Sequence, residues 1–390
     1  MSTPRYAGRL PFSTTENRLA TLEAEMRAAG RPLLDLTLSN PTVAGLDYPT
    51  DRIAAALANP AMAVYEPSPR GLPSSRAAVL GDYRRRGAIL DDGQLLLTAS
   101  SSESYSLIFK LFGNPGDVVL VPEPSYPLFD HLAGLEGLST RPYRLAYDGR
   151  WHLEAASLDF SNVAAVVVVS PNNPTGSFIS KPDLLRLATL CAQHGVPVIV
   201  DEVFADFPHA TPADAVTVAA ALDLPALTFS LGGLSKSCGL PQMKLGFLAA
   251  TGPDAQHAIT RLEWIADTYL SVGAPVQHAL PTLLTIGAEL RARIQDRISR
   301  NLQHLRAAID QDSPCTLLPC EAGWSVILRV PQARSDEEWA LLLLRDHDVL
   351  VQPGYFFDLA MGATLVLSLL PPPATFAEGI FRVLSVTHAA

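Results

Sequence analysis

The stretch Ala164-Ala-Val-Val-Val-Val169-Ser-Pro-Asn-Asn-Pro-Thr-Gly176 decides the fold. Six apolar residues in a row show no alternation, so a strand made of them is buried on both faces, and the turn residues that follow end it abruptly. The pattern recurs at Val118-Val-Leu-Val121, Pro197-Val-Ile-Val200, Leu227-Thr-Phe-Ser230 and Leu245-Gly-Phe-Leu-Ala-Ala250, with helical stretches between the runs. This predicts an α/β protein with a mostly parallel sheet covered by helices. Ligands of such sheets lie beyond the carboxyl ends of the strands. Ser170, Asp201 and Ser230 each stand at or just after such an end.

The 390 residues exceed what one core usually supports, so a large and a small domain are expected. Residues 1–45 read as an arm and a helix (Glu16 to Ala29) joining the small domain, 46–285 as the large domain and 286–390 as a smaller α+β domain. A long periodic segment from Ile286 to Ile309 links the two. Strand-like Trp324–Val330 and Leu365–Leu369, a helix over Asp336–Asp346 and a last helix from Pro373 complete the smaller unit.

With 48% apolar and 17% charged residues the composition is that of a well-buried enzyme. A formal charge of −10, with Arg84-Arg-Arg86 as the one basic triplet, argues against nucleic acid as a partner. No stretch approaches the apolar length of a membrane span, and the amino terminus carries no apolar leader. The four cysteines show no paired spacing, which predicts reduced thiols and a cytoplasmic protein.

Lys236 lies in Gly233-Leu-Ser-Lys-Ser-Cys-Gly239, where glycines let backbone approach a ligand and an apolar strand delivers the amine. Desolvation there lowers its pKa and makes Schiff-base formation practical. Asp201 ends an apolar run, where a carboxylate needs a cationic or donor partner. Capping a helix and pairing with a protonated pyridine nitrogen both answer that need. Asn173 suits a turn and equally suits donation to a ring oxygen. Ser101 and Ser102 stand just before a helix expected from Glu103 to about Leu111, whose amino terminus serves either an ordinary serine cap or a phosphate. Lys244 adds positive charge nearby, and Tyr126 is a candidate to lie against a ring. Together these groups suit a pyridine aldehyde cofactor.

In this order the motifs resemble those of class I/II aminotransferases, pyridoxal phosphate enzymes of fold type I, over almost the whole chain. The matching residues are Leu38-Ser-Asn-Pro41, Tyr65 to Gly71 with Arg76, Leu97-Thr-Ala-Ser-Ser-Ser102, Pro124-Ser-Tyr126, Asn172-Asn-Pro-Thr-Gly176, Asp201-Glu-Val203 and Ser235-Lys236. The resemblance implies pyridoxal 5'-phosphate bound to Lys236, which also shuttles the proton, with Asp201 on the pyridine nitrogen, Asn173 on the ring oxygen and Tyr126 stacked on the ring. Ser101, Ser102 and Lys244 would hold the phosphate, beside Ser235. Tyr65 would reach across from a second subunit, which implies a homodimer.

Three positions depart from the resemblance. Phe204 replaces the Tyr that usually bonds the ring oxygen, and Lys244 replaces an Arg, keeping charge without the bidentate fork. Val366 stands where an Arg two residues before a Ser usually grips the substrate α-carboxylate. Arg329 or Arg70 then remain as candidate grips, and Asn40 is a further candidate substrate-binding residue; alternatively the donor has no α-carboxylate. The reaction expected is transfer of an amino group from an amine or amino acid to a keto acceptor. A lyase or decarboxylase on the same scaffold is the alternative, and a non-catalytic sensor domain a remote one.

Overall fold

The computed structural model describes residues 6–9, 17–155 and 158–389. Most of the expected amino-terminal arm, including Glu16, lies outside the described residues. The first helix, α1 (Arg18–Ala28), is capped by Asn17, whose side chain accepts from Leu19 N–H at 2.8 Å. A short strand β1 (Leu34–Asp35) and helices α2 (Thr50–Leu57) and α3 (Pro73–Arg85) precede the alternating region.

There the chain runs β2 (Leu95–Thr98), α4 (Ser101–Phe112), β3 (Val118–Glu123), α5 (Phe129–Leu135), β4 (Ser139–Tyr147), β5 (Trp151–Leu153), β6 (Val163–Val169), α6 (Lys181–His194) and β7 (Val198–Asp201). It continues through β8 (Thr228–Gly233), the short α7 (Leu234–Ser237), β9 (Gly246–Thr251), α8 (Ala255–Asp267) and the long α9 (Ala274–Ala308). Eight strands form one sheet in the order β2-β9-β8-β7-β6-β3-β4-β5. Neighbours from β8 to β4 are parallel; β9 is antiparallel to both its neighbours, and β5 to β4.

The unbroken apolar runs have the expected cause. Along β6, Ala165 and Val167 pack under α4, α5 and α8, whereas Val166 and Val168 pack on the opposite face with α6. Strands β4 and β5 were not anticipated. β4 is a strand of mixed polarity with Tyr143 its one buried residue, so it carries no apolar run.

The remaining chain adds β10 (Thr316–Leu317), β11 (Ser325–Arg329), α10 (Asp336–His347), β12 (Val349–Leu350), β13 (Gln352–Pro353), β14 (Thr364–Ser368) and α11 (Pro373–His388). These form an antiparallel sheet β10-β11-β14-β13 and a parallel pair β1–β12. Helix α9 serves two cores. Leu280, Leu283, Ile286 and Leu290 pack with β2 and β9, and Ile294, Ile298, Leu302 and Leu305 pack with β11 and β14. It opens at Ala274 rather than Ile286, with Pro281 accommodated inside the helix.

Candidate active site

Three strand ends meet at one place. Thr98 of β2, Gly246 of β9 and Gly233 of β8 share one register row, so the segments after β2, before β9 and after β8 are neighbours. Those segments carry Ser101 and Ser102, Lys244 and Lys236. Glycine makes the approach possible: a Cβ at Gly246 would stand 2.7 Å from Ser100 C and 3.0 Å from Ser101 N. Asp201 ends β7, between Val169 of β6 and Leu231 of β8. Asn173 sits in the turn that leaves β6.

The start of α4 suits an anion. Ser100 caps it, accepting from Glu103 N–H at 3.2 Å, and the N–H groups of Ser101 and Ser102 have no intrahelical acceptor. The Glu103 carboxylate is occupied by the Ala99 N–H at 2.5 Å and the Ser271 hydroxyl at 2.8 Å. Lys244 is exposed and takes a left-handed conformation, φ 48°.

Asp201 is buried. Its Oδ1 accepts from Val203 N–H at 3.1 Å and its Oδ2 from the Tyr105 hydroxyl at 2.9 Å. Burial pushes its pKa up to about 6, against the pull of these two donors and of the Lys236 charge. A buried carboxylate held by two neutral donors is half of an ion pair, and a protonated pyridine nitrogen supplies the other half. The residues therefore fit pyridoxal phosphate. Tyr105 carried no signal in the sequence beyond its place one helical turn after Ser101.

Lys236 Nζ lies 5.7 Å from the centre of the Phe204 ring and 5.3 Å from that of Trp324. Desolvation lowers the amine's pKa, and the Asp201 charge opposes that. Ser235 is half-buried beside it, and Arg291 of α9 donates to Ser237 O at 3.3 Å, holding α7 from below. Asn172 is committed, donating to Pro124 O and Thr175 Oγ1, both at 3.0 Å, and accepting from Ser125 at 3.1 Å. The Asn173 amide has no partner among the described residues. Tyr126, in the turn after β3, keeps its ring half open.

The candidate substrate residues are placed less uniformly. Asn40 Oδ1 caps a short turn through Thr42 N–H at 3.0 Å and its hydroxyl at 2.8 Å. Arg70 is ion-paired with Asp92 at 3.5 Å and Glu263 at 3.4 Å. Val366 is 1% exposed, in a closed apolar cluster with Trp151, Ile327, Phe357 and Leu359. Arg329 is half-buried, with Nε sealed from solvent and unpartnered. Tyr65 is 80% exposed.

A family model described as aminotransferase class I and II matches residues 31–370. The chain belongs to this family. Like the family it is a pyridoxal phosphate-dependent aminotransferase. The glutamate-pyruvate aminotransferase AlaA of Haemophilus influenzae is 27% identical over 344 residues, covering 84% of each chain. Nicotianamine aminotransferase 1 of Oryza sativa subsp. japonica is 26% identical over 345 residues, 83% of this chain and 69% of that protein. Alanine aminotransferase from Pyrococcus furiosus superposes with a TM-score of 0.86 at 21% identity, over 99% of this chain and 100% of that one. The large mostly parallel sheet is thus that of a fold type I aminotransferase.

Proposed function

We propose that Lys236 is the covalent anchor and proton carrier of this aminotransferase, and that its donor is an amine whose reacting carbon bears no carboxylate. Pyridoxal phosphate, when bound, supplies the aldehyde that takes up the amino group and the ring that accepts electrons. The chain's own groups do the rest. Lys236 Nζ, whose pKa desolvation lowers, takes the proton from the donor's amine-bearing carbon. Asp201 holds the pyridine nitrogen in its protonated form, with Tyr105 fixing the carboxylate. Asn173 donates to the ring oxygen, Tyr126 covers the ring, and Ser101, Ser102 and Lys244 hold the phosphate. Phe204 adds apolar surface and no donor.

The donor class rests on the arginines. A carboxylate carried into a dewatered site needs a cation beside it. Among the described residues, Arg70 and Arg76 are paired with acids, Val366 is sealed in its cluster, and Arg329 lies further along β11. The side chains beside Lys236 are aromatic, Phe204 and the buried Trp324, and Tyr126 keeps its ring half open. A keto compound would accept the amino group in the second half of the cycle.

The same reading makes the enzyme a homodimer. Met62, Val64 and Tyr65 expose apolar surface in one segment, which suits a contact that places Tyr65 by the partner's phosphate. No helix among the described residues is long and apolar enough to cross a membrane. The four cysteines are free and buried, which supports the cytoplasm as its compartment. The chain divides on this reading into an arm and helix (1–45), a large cofactor-binding domain (46–285) and a small carboxyl-terminal domain (286–390).

Borohydride reduction of the cofactor-loaded protein followed by peptide mapping tests the anchor. The chain has four lysines, at 110, 181, 236 and 244, so the label is unambiguous. Labelling at any position other than Lys236 overturns the assignment. A donor panel tests the substrate class: amines without an α-carboxylate are expected to bleach the bound cofactor's absorbance faster than α-amino acids do. Strong preference for α-amino acids would show that another cation grips them.

A further inference from the structure

Trp324 is 3% exposed and reaches Lys236 from the small-sheet side of the molecule. Its backbone is fixed from several directions. Gly176 O accepts from Glu321 N–H at 3.2 Å and Ala322 N–H at 2.9 Å, Gly323 N–H donates to Phe207 O at 2.9 Å, and Trp324 O accepts from Leu369 N–H at 2.7 Å. Gly176 (φ 68°) permits this docking, because a Cβ there would lie 2.5 Å from Ala322 O. The indole packs edge-on against Phe204, centroids 5.4 Å apart, and Phe207, 5.1 Å apart. The result is a slot with two ring faces turned to one nitrogen.

Resting on the reading of Lys236 as the anchor, we infer that Trp324 is a positioning residue: with Phe204 it fixes the Lys236 nitrogen at the mouth of the sheet and stabilises its protonated form. Ring faces carry negative potential and attract a cation within about 6 Å. The charged groups around this nitrogen are few. Asp201 at the end of β7 favours the protonated form, with the neutral Tyr105 of α4 behind it. Arg291 of α9 is occupied by Asp206 and Ser237 O. An apolar residue of similar bulk would keep water out yet lose the ring potential. Bulk and potential are therefore separable by substitution.

The test compares the wild-type holoenzyme with Trp324→Leu and Trp324→Phe. The visible absorbance of the bound cofactor reports protonation of the Lys236 nitrogen as pH is varied. Trp324→Leu is expected to lower the midpoint by about one pH unit, and Trp324→Phe to restore most of the difference. An unchanged midpoint in Trp324→Leu, or equal shifts in both variants, overturns the role. Should Trp324→Leu not fold, Phe204→Leu and Trp324→Phe are titrated as apoenzymes after reductive ¹³C-methylation, since only four lysines give signals. A lowered Lys236 pKa in Phe204→Leu with a near-native value in Trp324→Phe supports the slot; native values in both overturn it. Failure of the anchor itself shows separately, as borohydride labelling elsewhere.

Discussion

The hydroxyl of Tyr105 donates to Asp201 Oδ2 at 2.9 Å, tying the first turns of α4 to the end of β7. The helix whose start would hold the phosphate thus also steadies the carboxylate that would hold the ring. Both ends of the cofactor would then be referred to one element. Tyr105 itself is held by Phe109 and Phe129, at 5.9 and 5.6 Å between ring centres.

Tyr105→Phe removes one donor from a buried carboxylate and little else. Hydrogen bonds to charged groups contribute roughly 1.5–3 kcal/mol. Cofactor affinity is therefore expected to fall about ten- to a hundredfold, measured as the Kd of pyridoxal phosphate by absorbance titration. An unchanged Kd would mean that Asp201 keeps its orientation without Tyr105.

The Asp201 carboxylate also gives the cofactor-free protein a pH signature. Its folded-state pKa of about 6 lies above the 3.8 of an unperturbed Asp, so between these values the folded state holds more protons and stability falls as pH rises. Below both values the penalty is absent; above both it is complete, roughly 3 kcal/mol. Cofactor-free Asp201→Asn, uncharged throughout, is expected to melt a few degrees above wild type near pH ~8 and level with it near pH ~4. Parallel melting curves across that range, by calorimetry, would contradict the assignment.

Gly246→Ala tests the phosphate seat. The added methyl meets the Ser100 and Ser101 backbone, which cannot yield as a side chain would. The start of α4 must shift, so affinity for pyridoxal phosphate is expected to drop at least tenfold while the weaker affinity for unphosphorylated pyridoxal changes little. Equal losses for both ligands would place the phosphate elsewhere.

The parts of the site legible in the sequence are those set by local rules. The apolar runs of β3, β6, β7, β8 and β9 announced the sheet, and the residues just past their ends announced the proposed site. Lys236, Asp201 and Asn173 stand there because strand order brings strand ends together. Tyr105 and Trp324 gave no such sign, since each acts through a side chain that meets its partner only after helix packing or after the small sheet docks. Arg70 read as a free cation for the same reason. Its acids, Asp92 and Glu263, lie 22 and 193 residues away in sequence, and nothing local predicts their approach.

Arg329 decides between the donor classes. It lies on the same face of β11 as Ile327, and its register partner is Thr364, whose Oγ1 is likewise sealed and unpartnered. Trp324 marks the end of this strand that meets Lys236. At about 3.3 Å per residue, the Arg329 backbone is roughly 13 Å beyond Ser325, with Ile327 and Val366 forming an apolar layer between. A guanidinium behind that layer does not neutralise a carboxylate on the reacting carbon. Arg329→Met is therefore expected to change kcat/KM for carboxylate-free amines less than about threefold and to leave Tm level or raised, because a sealed, unpaired donor is removed. A loss of more than about tenfold confined to carboxylate-bearing donors would make Arg329 the missing grip and reverse the donor assignment.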